Sequence, residues 1–339
     1  MSSRARSSSP DAVRLRLPVP FPIGHVNAYV LPGEPFTLVD PGPRWDTTRA
    51  HLEAALRALG RRVEDVELVL LTHHHDDHAG LAAEVRERAG CEVAAHARTA
   101  DALRDHRRTR AAEDRIAASL LRCHGAPAGI VATVAEATQR ALRYATSVVV
   151  DRPLEDGDRL TAGGREHAVQ LVPGHSCTDT LYVDDRQAAI AGDLLFATGL
   201  PVLLAHDGPR ARAPLARHRD ALRRAQALHL SVAYVGHGDV IHGPDLRIRH
   251  ALRAQDERAR DVFAAIPGGS HTAWELVRRV WPARRLSGAE HPISWPFVVL
   301  CDMLACLERL REQRLVVADV EDVVRFRRSR QARHQTSGW

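Results

Sequence analysis

The chain has 339 residues, of which 45% are hydrophobic and 26% are charged, and its formal net charge is +5. This composition is typical of a soluble globular protein, and the length is enough for one large domain and a smaller one. No apolar run approaches the roughly 20 residues that span a bilayer. The N-terminal residues lack the apolar segment of a secretory signal. We therefore expect a cytoplasmic protein whose residues 1–14 form a disordered arm.

The cysteine and basic residues exclude several kinds of chemistry. The five cysteines are scattered and never spaced as Cys-x-x-Cys, which favours reduced thiols over disulfide bonds or a four-cysteine zinc site. The chain contains no lysine, and all 47 basic residues are arginine. This excludes a Schiff-base lysine and the lysine of a phosphate-binding loop. The modest positive charge permits an anionic partner but does not require one.

Apolar patterns predict strands and helices that alternate along residues 13–235, which indicates a layered α/β fold. The predicted strands cover residues 13–18, 26–31, 34–39, 66–71, 147–150, 168–172, 181–183, 188–191 and 232–235. Helices are predicted at 47–59 and 214–228, and a second strand–helix unit at 79–103. Residues 97–146 form an Ala- and Arg-rich helical insertion with a break at 125–127. Such an insertion either covers a site or forms a solvated hairpin.

The character of the chain changes near residue 245. Helical spacing predicts one helix at 248–266, and Thr272 begins a second with the capping-box pattern Thr-x-x-Glu. A third helix follows around residues 297–307, and apolar residues at 316–326 predict a hairpin. Three helices and a hairpin are the layout of a winged helix, so we assign residues 246–339 to a winged-helix-like domain. A structural or dimerising appendage is the alternative, and a homodimer is left open by the sequence.

The most informative segment is the run of histidine and aspartate residues at 73–78, which directly follows a predicted buried strand. The run reads His-His-His-Asp-Asp-His, so four imidazoles and two carboxylates occupy six positions. Neutral imidazole nitrogens and carboxylate oxygens suit a borderline divalent ion such as Zn²⁺. The alternatives are a solvated polar turn and a tract that binds metal only adventitiously.

Three further candidate ligands lie at predicted strand ends, each beside a glycine. His175 follows Gly174, Asp193 follows Gly192, and His237 follows Gly236. Loops that follow strands of an α/β fold gather at one edge of the sheet, so residues far apart in sequence can converge there. Glycine allows the backbone to approach closely. No Gly-x-Gly-x-x-Gly motif follows any of the predicted strands, so nothing favours dinucleotide binding.

These motifs, together with Asp40-Pro41-Gly42, resemble the five ordered motifs of the metallo-β-lactamase-fold hydrolases over about residues 15–245. The resemblance implies an αββα sandwich with a dinuclear metal centre of two Zn²⁺ ions, iron and manganese being the alternatives. By this resemblance, the first ion is bound by His73, His75 and His175. The second ion is bound by Asp77, His78 and His237, and Asp193 binds both ions. Asp77 and Asp193 are also expected to act in catalysis, and Asp40 to orient the ligands.

The tail resembles the winged-helix domain of one branch of this superfamily, which contains lactamase-β-like endoribonucleases and polyketide-releasing thioesterases. The resemblance implies a dinuclear zinc hydrolase of a thioester or related acyl substrate. A single-strand endoribonuclease is the second hypothesis, with Arg325, Arg327, Arg328 and Arg330 contacting phosphates. A metal-dependent, non-enzymatic module that binds DNA is the third, but it leaves the full ligand set unexplained. The presence of Asp193 argues against a true β-lactamase.

Overall fold

The computed structural model describes residues 12–204, 214–281 and 295–330. The first six strands form one sheet in chain order, antiparallel from β1 to β3 and parallel from β3 to β6. Their bounds are β1 Val13–Pro18, β2 His25–Leu31, β3 Thr37–Val39, β4 Leu68–Leu71, β5 Glu92–His96 and β6 Arg152–Leu154. Strand β1 therefore begins inside the segment expected to be a disordered arm, of which residues 1–11 lie outside the described residues.

The second sheet also has six strands, in the order β12-β11-β10-β9-β8-β7. Their bounds are β7 Arg159–Ala162, β8 Arg165–Leu171, β9 Thr180–Asp184, β10 Ala188–Gly192, β11 Val232–Val235 and β12 Ile241–His242. Neighbouring strands are antiparallel except β10 and β11, which are parallel. The ends of β10 and β11 therefore lie side by side, which places the loops that follow them next to each other.

Some helices pack on the outer faces of the two sheets, and others form the insertion and the C-terminal part. Their bounds are α1 Asp46–Ala58, α2 Asp76–Ala79, α3 Ala82–Ala89, α4 Ala97–Arg104, α5 His106–Cys123, α6 Ala128–Ala141, α7 Pro214–Ala227, α8 Asp245–Ala265, α9 Ala273–Val280 and α10 Trp295–Glu312. Strand β4 illustrates the layering, because Leu68 and Leu70 face the core between the sheets, while Val69 and Leu71 face the core beneath α1 and α3. The mixed α/β fold predicted from the sequence is confirmed.

The predicted strand at residues 147–150 is wrong. These residues are extended but outside the sheet, and the strand forms at Arg152–Leu154 instead. The backbone N–H of Val148 donates to the carbonyl of Leu103 at the end of α4. The Val148 side chain is buried in the outer core of the first sheet. Val149 is exposed, so only part of the apolar run is buried, and apolar character alone does not distinguish a strand from an extended segment that packs beneath a helix.

The C-terminal part contains α8, α9 and α10 with a three-stranded sheet of β13 His271–Thr272, β15 Val324–Arg328 and β14 Val316–Val320. The capping box of α9 is confirmed, because the Glu275 N–H donates to Thr272 Oγ1 and the Thr272 N–H donates to Glu275 Oε2. The predicted loop before α10 falls on residues 282–294, outside the described part. Assignment of this region as a winged helix stays a prediction.

The insertion and the C-terminal part share one hydrophobic core. Leu120 and Leu121 of α5 pack in the same cluster as Trp274 of α9 and Leu300 of α10. Helix α8 connects this cluster to the second sheet, since its first half contributes Ile248 to the sheet core and its second half packs in the shared cluster. Within the described ranges, no helix is long and apolar enough to cross a membrane.

Candidate metal centre

The seven predicted ligands converge where the strands of both sheets end. The run 73–78 follows β4, His175 lies in the loop after β8, Asp193 follows β10, and His237 follows β11. The side chain of Asp77 is 19% exposed, while that of His78 is completely buried. The site is therefore enclosed on most sides, and its Asp77 side is open to solvent.

The first group of ligand atoms consists of three imidazole nitrogens. His75 Nδ1 lies 3.1 Å from His73 Nε2 and 2.9 Å from His175 Nε2. The ligand atoms of these three residues all lie within 4.8 Å of one another. The three rings are mostly buried and their nitrogens lie close together. Such a set of nitrogen lone pairs can coordinate a divalent cation.

The second group consists of Asp77, His78 and His237, whose ligand atoms also lie within 4.8 Å of one another. His237 Nε2 lies 3.4 Å from Asp77 Oδ2, and His78 Nε2 lies 3.9 Å from the same oxygen. This group differs from the first by the carboxylate, which adds a negative charge to two imidazoles.

Asp193 lies between the two groups. Its Oδ2 is 3.4 Å from His175 Nε2 in the first group and 3.4 Å from His237 Nε2 in the second, and its Oδ1 is 3.4 Å from His78 Nε2. Two atoms of this contact, His78 Nε2 and Asp193 Oδ1, are buried without a hydrogen-bond partner. Unpartnered buried polar atoms are costly. A cation between them would satisfy both, so the residues present fit a metal.

Four of the five imidazoles are oriented through Nδ1, which leaves Nε2 directed into the site. The Nδ1–H of His175 donates to the Val202 carbonyl at 2.6 Å, and that of His237 donates to the His25 carbonyl at 2.7 Å. A carbonyl can only accept, so each Nδ1 must hold the proton. Such outer partners fix both the tautomer and the ring orientation of metal-binding histidines.

Asp40 and Thr72 orient the other two rings. Asp40 accepts hydrogen bonds from the Thr72 N–H, the Thr72 hydroxyl and His78 Nδ1, at 2.9, 2.7 and 3.0 Å. Because the only hydroxyl proton of Thr72 goes to Asp40, its oxygen accepts from His73 Nδ1 at 2.9 Å. Asp40 itself has φ 47°, a left-handed conformation that is unusual for a residue with a side chain. The structure thus places Asp40 where the sequence predicts an orienting carboxylate.

The charges of the side chains differ between the two groups. Burial opposes a charge on His237, but Asp193 and Asp77 outweigh this and raise the pKa of His237 to about 10. Burial and the neighbouring His78 lower the pKa of His73 well below its usual value. His73 and His75 are therefore neutral imidazoles ready to bind a cation, whereas His78 and His237 hold protons that a cation would displace.

Two residues of the run that the sequence analysis left out, His74 and Asp76, contact the insertion. His74 Nε2 lies 2.7 Å from Glu113 Oε1, and Asp76 Oδ1 lies 2.9 Å from His106 Nε2. Arg110 donates to the other oxygen of Glu113 at 2.7 Å. His74 lies between two ligands in the extended residues 73–75, where side chains alternate in direction, and Asp76 begins α2; both side chains point to α5. The one signal in the sequence was the spacing of His106, Arg110 and Glu113, which places them on one helix face.

Comparison with known proteins agrees with this geometry. The model of the metallo-beta-lactamase superfamily matches residues 22–237. The probable metallo-hydrolase YqjP of Bacillus subtilis (strain 168) is 26% identical over 277 residues, which cover 80% of this chain and 86% of that protein. A crystal structure of the metallo-beta-lactamase family protein TTHA1429 from Thermus thermophilus superposes with a TM-score of 0.75 and 28% identity, over 94% of this chain and 99% of that one.

A third match is shorter. The hydroxyacylglutathione hydrolase of Rhodopseudomonas palustris (strain BisB5) is 28% identical over 151 residues, or 44% of this chain and 41% of that protein.

The fold and the buried cluster of histidine and aspartate side chains define a metal-dependent hydrolase. The chain belongs to the metallo-β-lactamase superfamily, because the family model covers more than half of its length.

Proposed function

We propose that the protein is a dinuclear zinc hydrolase of a thioester or a related acyl substrate. The observation that supports two ions is the position of Asp193, whose carboxylate lies 3.4 Å from a nitrogen of each three-residue group. A single ion would leave one of the two groups without a cation. The donor set of five imidazoles and two carboxylates favours zinc, with iron and manganese as the alternatives.

When bound, two such ions would lower the pKa of a water molecule between them and polarise the scissile carbonyl. The residues of the chain hold the site for this reaction. Asp40, Thr72 and the backbone carbonyls keep four imidazoles in one tautomer and orientation, so little reorganisation is needed during turnover. The partly exposed side chain of Asp77 marks the side from which a substrate enters. We expect Asp77 and Asp193, the two carboxylates of the proposed ligand set, to act in catalysis.

The substrate class is supported by the relatives. One relative is named for hydrolysing hydroxyacylglutathione, an acylated thiol, although the match spans less than half of that protein. The match that spans most of both chains is named only as a metallo-hydrolase. A thioester carbonyl needs no strongly activated leaving group, since a thiolate departs readily, so metal-assisted attack of water suffices. We therefore place a thioester first.

A single-strand endoribonuclease is the second candidate, favoured by the arginines of strand β15 and by the order of the C-terminal elements, which the sequence predicts to be a winged helix. These arginines have partners within the protein. Arg327 Nε donates to Asp319 at 3.0 Å, Arg328 donates to the carbonyls of Phe263 and Ala264, and Arg325 donates to the Ser270 carbonyl. The ion pair of Arg327 reduces the positive potential available to phosphates, which is why RNA is placed second.

Purified protein loaded with zinc should be assayed against a panel of acyl thioesters and against a labelled single-stranded RNA. We expect thioester hydrolysis that changes little between about 50 and 200 mM salt, whereas RNA binding through several phosphates falls by orders of magnitude over this range. Protein stripped of metal is the control. Metal-dependent RNA cleavage with no thioesterase activity would replace the first candidate by the second. If thioester hydrolysis and RNA cleavage both persist after the metal is removed, both candidate functions are contradicted.

A further inference from the structure

A buried histidine outside the predicted ligand set contacts the backbone beside two of the ligands. His218 lies on α7, and its side chain is completely shielded from solvent. Its Nε2 lies 2.9 Å from the carbonyl oxygen of Leu194, the residue that follows Asp193. A Cβ atom added to Gly174, which precedes His175, would lie 2.6 Å from His218 Cβ. His218 therefore packs directly between the loop of His175 and the loop of Asp193.

The protonation of His218 is fixed by its partners. The Leu194 carbonyl can only accept, so Nε2 carries the proton and Nδ1 has a free lone pair. Gln255 on α8 donates to this lone pair through Nε2, at 2.9 Å. Arg219 in turn donates to Gln255 Oε1 at 3.1 Å, which sets the orientation of the amide. Both ring nitrogens are thus satisfied in one tautomer, and a rotated or flipped ring would lose at least one of the bonds.

The same network continues into the C-terminal part of the protein. Arg219 Nη2 lies 3.3 Å from Asp256 Oδ2, and Arg309 on α10 donates to Asp256 Oδ1 at 2.6 Å. A continuous series of side chains thus connects α10 to the carbonyl next to Asp193. Arg309 and Asp256 are partly exposed, so this outer pair contributes less than the buried inner pair of His218 and Gln255.

We propose that His218 is a positioning residue of the metal centre, which fixes the backbone beside His175 relative to the backbone beside Asp193 and is itself oriented by Gln255. These two ligands belong to the contact between the two groups, since Asp193 Oδ2 lies 3.4 Å from His175 Nε2. Loss of the Leu194 hydrogen bond would let the Asp193 loop shift. Outer partners of metal ligands typically change metal affinity by about 10- to 100-fold.

The test compares zinc affinity, from competition with a chelator, and the absorption spectrum of the Co²⁺-substituted protein. His218→Leu removes both hydrogen bonds, whereas in His218→Gln the amide nitrogen takes the place of Nε2 and still donates to Leu194. We expect zinc binding about 10-fold weaker in His218→Leu, an altered cobalt spectrum, and recovery of most of the affinity in His218→Gln. Gln255→Leu should change the spectrum in the same direction, because His218 Nδ1 loses its hydrogen-bond donor and the ring is held by the Leu194 contact alone.

Leu222→Ala is the matched control, because Leu222 is equally buried one turn further along α7 and contributes only apolar packing. It should lower the melting temperature and leave zinc affinity and the cobalt spectrum unchanged. Wild-type affinity and spectrum in His218→Leu would overturn the proposal, as would an equal loss in Leu222→Ala. If His218→Leu does not fold, an unchanged spectrum in Gln255→Leu overturns it. None of these readouts uses a substrate, so the thioester assignment is tested separately.

Discussion

Substitution of Gly236 by alanine should remove metal binding while preserving the fold. A Cβ atom on Gly236 would lie 2.2 Å from Asp193 Oδ1 and 2.6 Å from His78 Cε1, whereas ordinary contact begins at 3.4 Å. The carboxylate must therefore move by about 1 Å, and a displacement of that size at a reacting centre costs on the order of 100-fold in rate. The backbone of Gly236 is anchored on both sides, since its N–H donates to Gly192 and its carbonyl accepts from Asn27. The chain therefore cannot shift away easily.

The assay for Gly236→Ala is metal content per chain, followed by kcat/KM on the best thioester. We expect loss of bound zinc and a decrease in kcat/KM of about 100-fold, with a nearly unchanged far-ultraviolet circular dichroism spectrum. Gly129→Ala is the matched control, because no atom lies within 4 Å of the added Cβ at that position in α6. Two tightly bound ions in Gly236→Ala would refute the assignment of Asp193 and His78 as neighbouring ligands.

The remaining predictions concern three separate residues. Asp193→Ala should lose the second ion and about 100-fold or more in kcat/KM, as read by metal analysis and turnover; retained double occupancy would contradict the bridging role. Burial lowers the pKa of His218 from 6.5 to about 4. The folded protein therefore binds this proton less readily than the unfolded chain, and the contribution of His218 to the free energy of unfolding falls by about 3 kcal/mol between pH 7 and pH 4. In denaturant titrations, the decrease over this range should be smaller in His218→Gln than in the wild type by about this amount. Glu113→Ala leaves His74 and Arg110 without their shared partner and should lower the free energy of unfolding in urea by about 1 to 2 kcal/mol. Glu84→Ala should leave the metal centre unchanged.

The convergence of the candidate ligands could be predicted because they lie in loops that follow strands, and His175, Asp193 and His237 each lie beside a glycine. Gly192 and Gly236 are required by close approach, since an added Cβ would meet Thr72 Oγ1 at 2.5 Å and Asp193 Oδ1 at 2.2 Å. Such local signals are readable from the order of residues alone. The neighbours of the ligands were less accessible to sequence reasoning. His218 contacts Leu194 and Gly174 only through tertiary packing of α7, and no pattern within α7 distinguishes it from an ordinary core residue.

The role of the insertion was not predictable for a similar reason. Its helical spacing indicates an apolar face, but that face packs on α9 and α10, which lie more than 130 residues away in the chain. The polar face of α5 contacts the histidine run through Glu113 and His106. The insertion therefore contacts both the C-terminal part and the loop that carries the histidine run. It is packed on both faces, unlike a solvated hairpin. The apolar run at 147–150 was misassigned because the same residues occur in a strand and in an extended segment of which only Val148 is fully buried.

The proposed function requires two metal ions in adjacent groups of three ligands that share Asp193. A crystal structure of the zinc-loaded protein, with anomalous diffraction recorded at the zinc edge, tests this requirement. We expect two peaks about 3.5 to 4 Å apart, one within about 2.1 Å of nitrogens of His73, His75 and His175 and the other beside Asp77, His78 and His237. A single fully occupied peak, or a second peak outside these residues, would contradict it.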